Sequence, residues 1–221
     1  MQIIKKYPYK RHNRFQSETG RKYLVEDKPV PSVTTILSAT EDKRFLDNWR
    51  RKIGAENADR IVNESAKRGT EMHRVLEFYY QGQKYYNATD EGAHPRAMAE
   101  LIKSNLNIEE VWGSEISLSY NYEYAGTTDL VAVSAGKPSI VDFKQSNRPK
   151  IEKWIDGYKH QLGAYYLAHK THYGPIEQGI ISIATKDLQY QQFVLNQNDL
   201  KEYSEKFLQR VELYKEMMKK G

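Results

Sequence analysis

The stretch that most constrains this chain is residues 126–145, G-T-T-D-L-V-A-V-S-A-G-K-P-S-I-V-D-F-K-Q, which has the pattern of a hairpin. Residues 127–133 and 139–145 are apolar and β-branched, and Ala135-Gly136-Lys137-Pro138 between them has turn chemistry. Side chains two apart on a strand share one face, roughly 6 to 7 Å apart, so Asp142 and Lys144 point the same way. Asp129 approaches that face from the neighbouring strand. A strand-like run at 111–120 precedes the hairpin and brings Glu115 to the same sheet.

Gathered carboxylates repel and raise one another's pKa unless a cation lies between them. A hard divalent ion such as Mg²⁺ or Mn²⁺ prefers oxygen ligands, keeps some of its waters and can hold a phosphate oxygen. The blander alternative for Asp142 and Lys144 is a partly solvated ion pair on an ordinary hairpin. Two further patterns bear on the choice. In Arg68-Gly69-Thr70-Glu71-Met72-His73, His73 shares a helix face with Glu77 one turn on, and Gln161 and Tyr165 stand one turn apart on a later helix.

The remaining chain is predicted to alternate helices and strands. Ser32 caps a short helical turn, and helices are expected at 41–53, 55–81, 95–105, 151–171 and 197–219. Strands are expected at 111–120, 123–134, 138–145, 179–185 and 190–195. That order predicts an α/β fold with a mixed central sheet flanked by helices. No repeat or low-complexity linker divides the chain, so one domain is expected over 1–221: a basic arm (1–30), a helical region (31–108) and a core (109–221).

The motifs together resemble the PD-(D/E)XK nuclease superfamily, in its RecB-like exonuclease branch. Gly69, Thr70 and His73 match its G-T-x-x-H element, and Glu115 its strand glutamate. Gly126 and Asp129 match G-x-x-D; Asp142, Lys144 and Ser146 match D-x-K-x-S; Gln161 and Tyr165 match Q-x-x-x-Y. With Pro31-Ser32-Val33-Thr34-Thr35-Ile36-Leu37 and the helix through Trp49, residues 30–215 look like the mitochondrial genome maintenance exonuclease family. One position departs from the pattern, Gln145 standing where threonine is often found.

The resemblance implies a restriction-endonuclease-like core and metal-dependent hydrolysis of DNA, leaving a 5′-phosphate and a 3′-hydroxyl. It implies that Asp129, Asp142 and the backbone carbonyl of Phe143 hold the principal Mg²⁺, for which Mn²⁺ can substitute. His73 would be an additional ligand, with Glu115 beside it, and Lys144 would activate the attacking water. Gln161 and Tyr165 would support the site or contact nucleic acid. The helical N-terminal region would pack beside the active-site edge and leave a passage for a strand.

Charge bears on the partner. The formal charge is +5, from 34 basic and 29 acidic residues, a modest bias towards polyanions. Lys5, Lys6, Lys10, Arg11, Arg14, Arg21 and Lys22 interleave with Tyr7, Tyr9, Phe15 and Tyr23. That pattern suits single strands, where cations follow phosphates and rings stack on bases; local packing of the tyrosines is the alternative. Arg14, Arg50, Arg51, Lys52 and Ser146 are the expected DNA contacts, with Phe45, Leu46 and Trp49 expected to pack inward beneath the basic face of the second helix. The expected substrate is single-stranded DNA with a free end. A structure-specific endonuclease on the same core and a non-catalytic nucleic-acid-binding module are the rivals.

The absence of cysteine excludes disulfides and cysteine-ligated iron–sulfur clusters. No apolar run approaches 18 residues and no secretory or mitochondrial leader pattern is evident. A cytoplasmic protein of a bacterial or phage-infected cell, with no membrane partner, is therefore expected.

Overall fold

The meander predicted before residue 146 forms the middle of a six-stranded sheet in the computed structural model, which describes residues 1–220. In chain order the elements are β1 (Gln2–Ile3), β2 (Asn13–Ser17), β3 (Gly20–Val25), β4 (Lys28–Pro31), α1 (Val33–Thr40), α2 (Arg44–Ile53), α3 (Ala55–Tyr80) and α4 (Asp90–Asn105). There follow β5 (Glu110–Tyr120), β6 (Tyr124–Ser134), β7 (Lys137–Ser146), α5 (Asp156–His172), β8 (Gln178–Thr185), β9 (Tyr190–Asn196) and α6 (Gln197–Lys220). The large sheet runs β1-β5-β6-β7-β8-β9. Its pairs are antiparallel except β1 with β5 and β7 with β8. The parallel β7–β8 pair needs a crossover, and α5 supplies it.

Alternation along the central strands divides the core. Val131 and Ile140 join a cluster with Leu162, Tyr166, Phe207 and Val211 of α5 and α6. Their neighbours Leu130, Ala132, Val141 and Phe143 face Met72, Leu76, Met98 and Ile102 of α3 and α4. With helices on both faces, β8 is buried along its whole length, as its continuous apolar run requires. This is the mixed α/β arrangement, with a helical N-terminal region, that the sequence predicts.

Several expectations are corrected. The N-terminal arm is folded: β2, β3 and β4 form an antiparallel sheet, and β1 extends the large sheet. Tyr7 and Tyr9 pack edge-on and tilted against Trp112, His169 and Tyr173, and Tyr23 is buried, so these rings build the protein. Helix α4 begins at Asp90, because Thr89 accepts a hydrogen bond from the Gly92 N–H as N-cap, leaving Pro95 within the helix. Helix α5 begins at Asp156, after a 3₁₀ turn at Glu152–Trp154. Helix α2 buries no residue, and Phe45 and Leu46 are 82% and 53% exposed.

Candidate active site

The site lies where β6 and β7 part. Their ladder runs from Ser134 opposite Lys137 to Leu130 opposite Val141 and stops there. Beyond it the Asp129 carboxylate takes the place of a strand partner, accepting the Phe143 N–H at 2.6 Å. The opening is lined by α3 on one side and α5 on the other, so residues far apart in sequence meet in it.

From α3, His73 Nδ1 lies 3.3 Å from Asp129 Oδ1. From β5 comes Glu115, whose backbone is left-handed at φ 52°, strain of the kind that clusters at functional sites. Ligand atoms of His73, Glu115 and Asp129 all lie within 4.8 Å of one another. Burial and then the Asp129 charge push the Glu115 carboxyl up to about 7. Burial works the same way on Asp129, but the His73 and Lys144 charges and the hydrogen bonds from His73 and Phe143 hold its carboxyl below the ordinary value. For His73, burial opposes protonation, yet Asp129 raises its pKa overall.

Asp142 and Lys144 occupy the other wall. The Lys144 ammonium sits astride the carboxylate, 2.7 Å from Asp142 Oδ1 and 2.6 Å from Oδ2. Burial pushes the Asp142 carboxyl up to about 6 against the pull of Lys144. Burial likewise works against the Lys144 charge, but the Asp142 and Asp129 carboxylates raise its pKa above the usual lysine value. Lys144 Nζ also donates to Gln161 Oε1 at 3.2 Å, and Gln161 Nε2 donates to the Tyr165 hydroxyl at 3.3 Å. Tyr165 is buried, so it supports this chain of bonds from within. It also explains Gly126: a Cβ there would lie 2.7 Å from Tyr165 Cε1.

Three donors gathered around one point suit a divalent ion, since a neutral imidazole and two carboxylate oxygens are ligands such ions accept. Asp142 lies outside that trio, but its buried Oδ2 has no well-directed hydrogen bond and keeps acceptor capacity. The ion pair weighed for Asp142 and Lys144 is therefore real, with Asp142 buried and Lys144 half-buried beside the acidic cluster.

The expected DNA contacts divide. Arg14, exposed on β2, is close enough for its charge to act on Glu115. Arg50, Arg51 and Lys52 are exposed on α2, Arg50 paired with Asp59 at 2.8 Å and Arg51 bonded to Asn48 at 2.9 Å. Ser146 is a correction: it is buried, donates to the Arg148 carbonyl at 2.5 Å and staples the turn after β7. Two groups beside the site were not singled out in the sequence. Tyr158 holds its ring 5.0 Å from Lys144 Nζ, and Arg68 donates to Gln145 at the end of β7. Tyr158 stands one turn before Gln161 and Arg68 directly before Gly69, which is the signal both carried.

A model of the PD-(D/E)XK nuclease superfamily matches residues 108–221, half the chain, including β6, β7 and α5. The chain belongs to the PD-(D/E)XK nuclease superfamily. Among curated relatives, mitochondrial genome maintenance exonuclease 1 of Mus musculus is 29% identical over 219 residues, covering 92% of this chain and 64% of the relative. The Homo sapiens protein of the same name is 27% identical over 172 residues, 72% of this chain and 50% of its own. The chain thus spans between half and two thirds of these relatives. A crystal structure of a candidate exonuclease from Eubacterium rectale superposes with a TM-score of 0.47 at 13% identity, over 66% of this chain and 64% of that one. Among the described residues no helix is long and apolar enough to cross a membrane. The relatives' names are mitochondrial, which leaves the bacterial or phage setting without support.

Proposed function

We propose that this chain is a divalent-metal-dependent deoxyribonuclease, an exonuclease that hydrolyses phosphodiester bonds of single-stranded DNA from a free end. The observation that carries the reading is the juxtaposition in one opening of the His73, Glu115 and Asp129 donors with the Lys144 ammonium. His73 and Asp129 would hold the ion, with Glu115 beside them and Asp142 contributing its under-bonded oxygen. Within one strand residue the N–H and C=O point to the same side, so the Phe143 carbonyl faces the opening with its N–H and is a further ligand. When bound, Mg²⁺ or Mn²⁺ would lower the pKa of a water and hold a phosphate oxygen.

The protein's own groups orient the rest. Lys144, fixed by Asp142 and Gln161, keeps a positive charge where the attacking water and the phosphate charge build up. Tyr165 holds Gln161, and Gly126 leaves room for Tyr165. The single-strand preference is supported by exposed rings among basic residues near the helical side: Phe45 on α2, beside Arg44, and Trp154, beside Lys153, are 82% and 57% exposed. Replication, repair or recombination of DNA is the setting such an activity suits.

The experiment is incubation of the chain with end-labelled linear single-stranded, linear duplex and circular single-stranded DNA, with Mg²⁺ and with EDTA. Mononucleotide or short products from the linear single strand alone, only with Mg²⁺, are expected. Cutting of the circle would replace the exonuclease reading with an endonuclease, and EDTA-resistant binding without product would leave a binding module.

A further inference from the structure

Arg68 stands on the α3 turn that precedes His73, half-buried and bonded only to neutral groups. Its Nε and one terminal nitrogen donate to Gln145 Oε1 at 3.0 and 2.7 Å, and the same terminal nitrogen donates to Asn147 Oδ1. Ser65 Oγ is a weaker partner at 3.4 Å. All are neutral. The one acid whose charge acts on it, Glu64, is bonded to Arg60 at 3.1 Å, and among the described residues Arg68 makes no ion pair. Arg44, Arg50 and Arg60 each have a carboxylate instead.

Its location is set by packing. A Cβ at Gly69 would lie 3.1 Å from Gln145 Cγ, so this turn of α3 packs tightly over the Gln145 side chain at the end of β7. Gln145 follows Lys144 directly, and Asn147 begins the loop beyond it. The guanidinium is thus held by two amide oxygens at the rim of the opening that contains the Lys144 ammonium. Half-buried, it retains further N–H donors and an uncancelled charge. Rigidly held guanidinium groups are suited to bidentate recognition of phosphate.

We propose that Arg68 is a phosphate-positioning residue, holding a backbone phosphate of the DNA strand next to the bond being cut, with Gln145 and Asn147 as its fixed mount. The departure of Gln145 from threonine then has a purpose in this chain: the longer side chain reaches the guanidinium. The proposal rests on the reading of the site as a DNA nuclease, and its test separates the two.

Fluorescence anisotropy of a labelled single-stranded oligothymidylate, titrated with the full chain in EDTA across a salt series, reads binding without cleavage. Arg68→Met should weaken binding roughly tenfold at low salt. It should also lower the slope of log affinity against log salt by about 0.7, the release expected for one phosphate contact on a single strand. Gln145→Ala loosens the mount but keeps the charge, so the slope should stay at the wild-type value while affinity falls less. Thermal melting of each variant accounts for any loss of folded protein. Wild-type slope and affinity in Arg68→Met, with only its melting temperature lowered, would make Arg68 a structural clamp and overturn the proposal. No binding by the wild type, in EDTA or with non-hydrolytic Ca²⁺ in its place, overturns the nuclease reading and the proposal together.

Discussion

Substituting Gly126 by alanine tests whether the hydrogen-bond chain behind Lys144 serves the chemistry. The added Cβ would lie 2.7 Å from Tyr165 Cε1, 3.0 Å from its hydroxyl and 3.2 Å from Val33 Cγ2. Tyr165 is 2% exposed, so the ring must tilt within the core and carry its hydroxyl away from Gln161, which lies 3.3 Å from it. Overpacking of this size costs about 1 to 3 kcal/mol, roughly 2 to 4 °C in melting temperature for each kcal/mol in a chain of this size. Gly163→Ala is the control. Its Cβ would lie 2.5 Å from the carbonyl carbon of Tyr203 and 2.6 Å from Ser204 N, backbone of α6 that cannot rotate aside, so the stability loss should be at least as large. The Gly163 clash loads α5 as a whole against α6, whereas the Gly126 clash falls directly on the Tyr165 ring that holds Gln161. Misplacement of a catalytic group by about 1 Å can cost roughly a hundredfold in rate. Mg²⁺-dependent release from an end-labelled single strand, measured well below both melting temperatures and normalised to folded protein, should fall about that far for Gly126→Ala and little for Gly163→Ala. Equal rates in the two variants would refute the coupling of Tyr165 to Lys144.

Three further outcomes are expected. His169 is fully buried, its Nδ1 donating to the Gly174 carbonyl at 3.0 Å and its Nε2 accepting from the Tyr9 hydroxyl at 3.0 Å, and burial lowers its pKa to about 4. A histidine depressed on folding stabilises the protein fully above its unfolded value near 6.5, and that contribution drains away as pH falls towards 4. It amounts to at most about 3 kcal/mol, and urea titrations at pH 7.5, 5.5 and 4.5 should show that loss in the wild type and a smaller one in His169→Gln. Lys144→Ala should abolish cleavage and also strand the buried Asp142 carboxylate, at about 3 to 5 kcal/mol. Melting temperatures for that variant should partly recover on acidification as Asp142 takes up a proton, whereas Asp142→Asn should lose activity with a smaller stability change. Phe45→Ala should weaken single-strand binding by about 1 to 3 kcal/mol at unchanged melting temperature, because the ring is exposed; unchanged affinity would remove α2 from the DNA path.

What the sequence disclosed followed from periodicity. Asp142 and Lys144 were placed together because a strand repeats every two residues, and the meander around them is bounded by turn residues that have few other uses. The face of α3 that carries His73 was visible in the same way. The gap between β6 and β7 was not, since it depends on where a ladder stops, and neither was the left-handed backbone at Glu115. The first 31 residues were obscured by composition: β1 to β4 carry many cations and few long apolar runs, so alternation is weak there, and the tyrosines that resemble stacking platforms pack on Trp112 and His169. Helix α2 misled for the opposite reason, having an amphipathic pattern of which only Trp49 and Ile53 are half-buried and no residue is fully buried.

The central claim is that His73, Glu115 and Asp129 share one ion. Calorimetric titration of Mn²⁺ into the full chain, beside Asp129→Asn and His73→Ala, tests it most directly. The account predicts saturable binding by the wild type and affinity at least about tenfold weaker in both variants. Wild-type Mn²⁺ affinity in Asp129→Asn would contradict it.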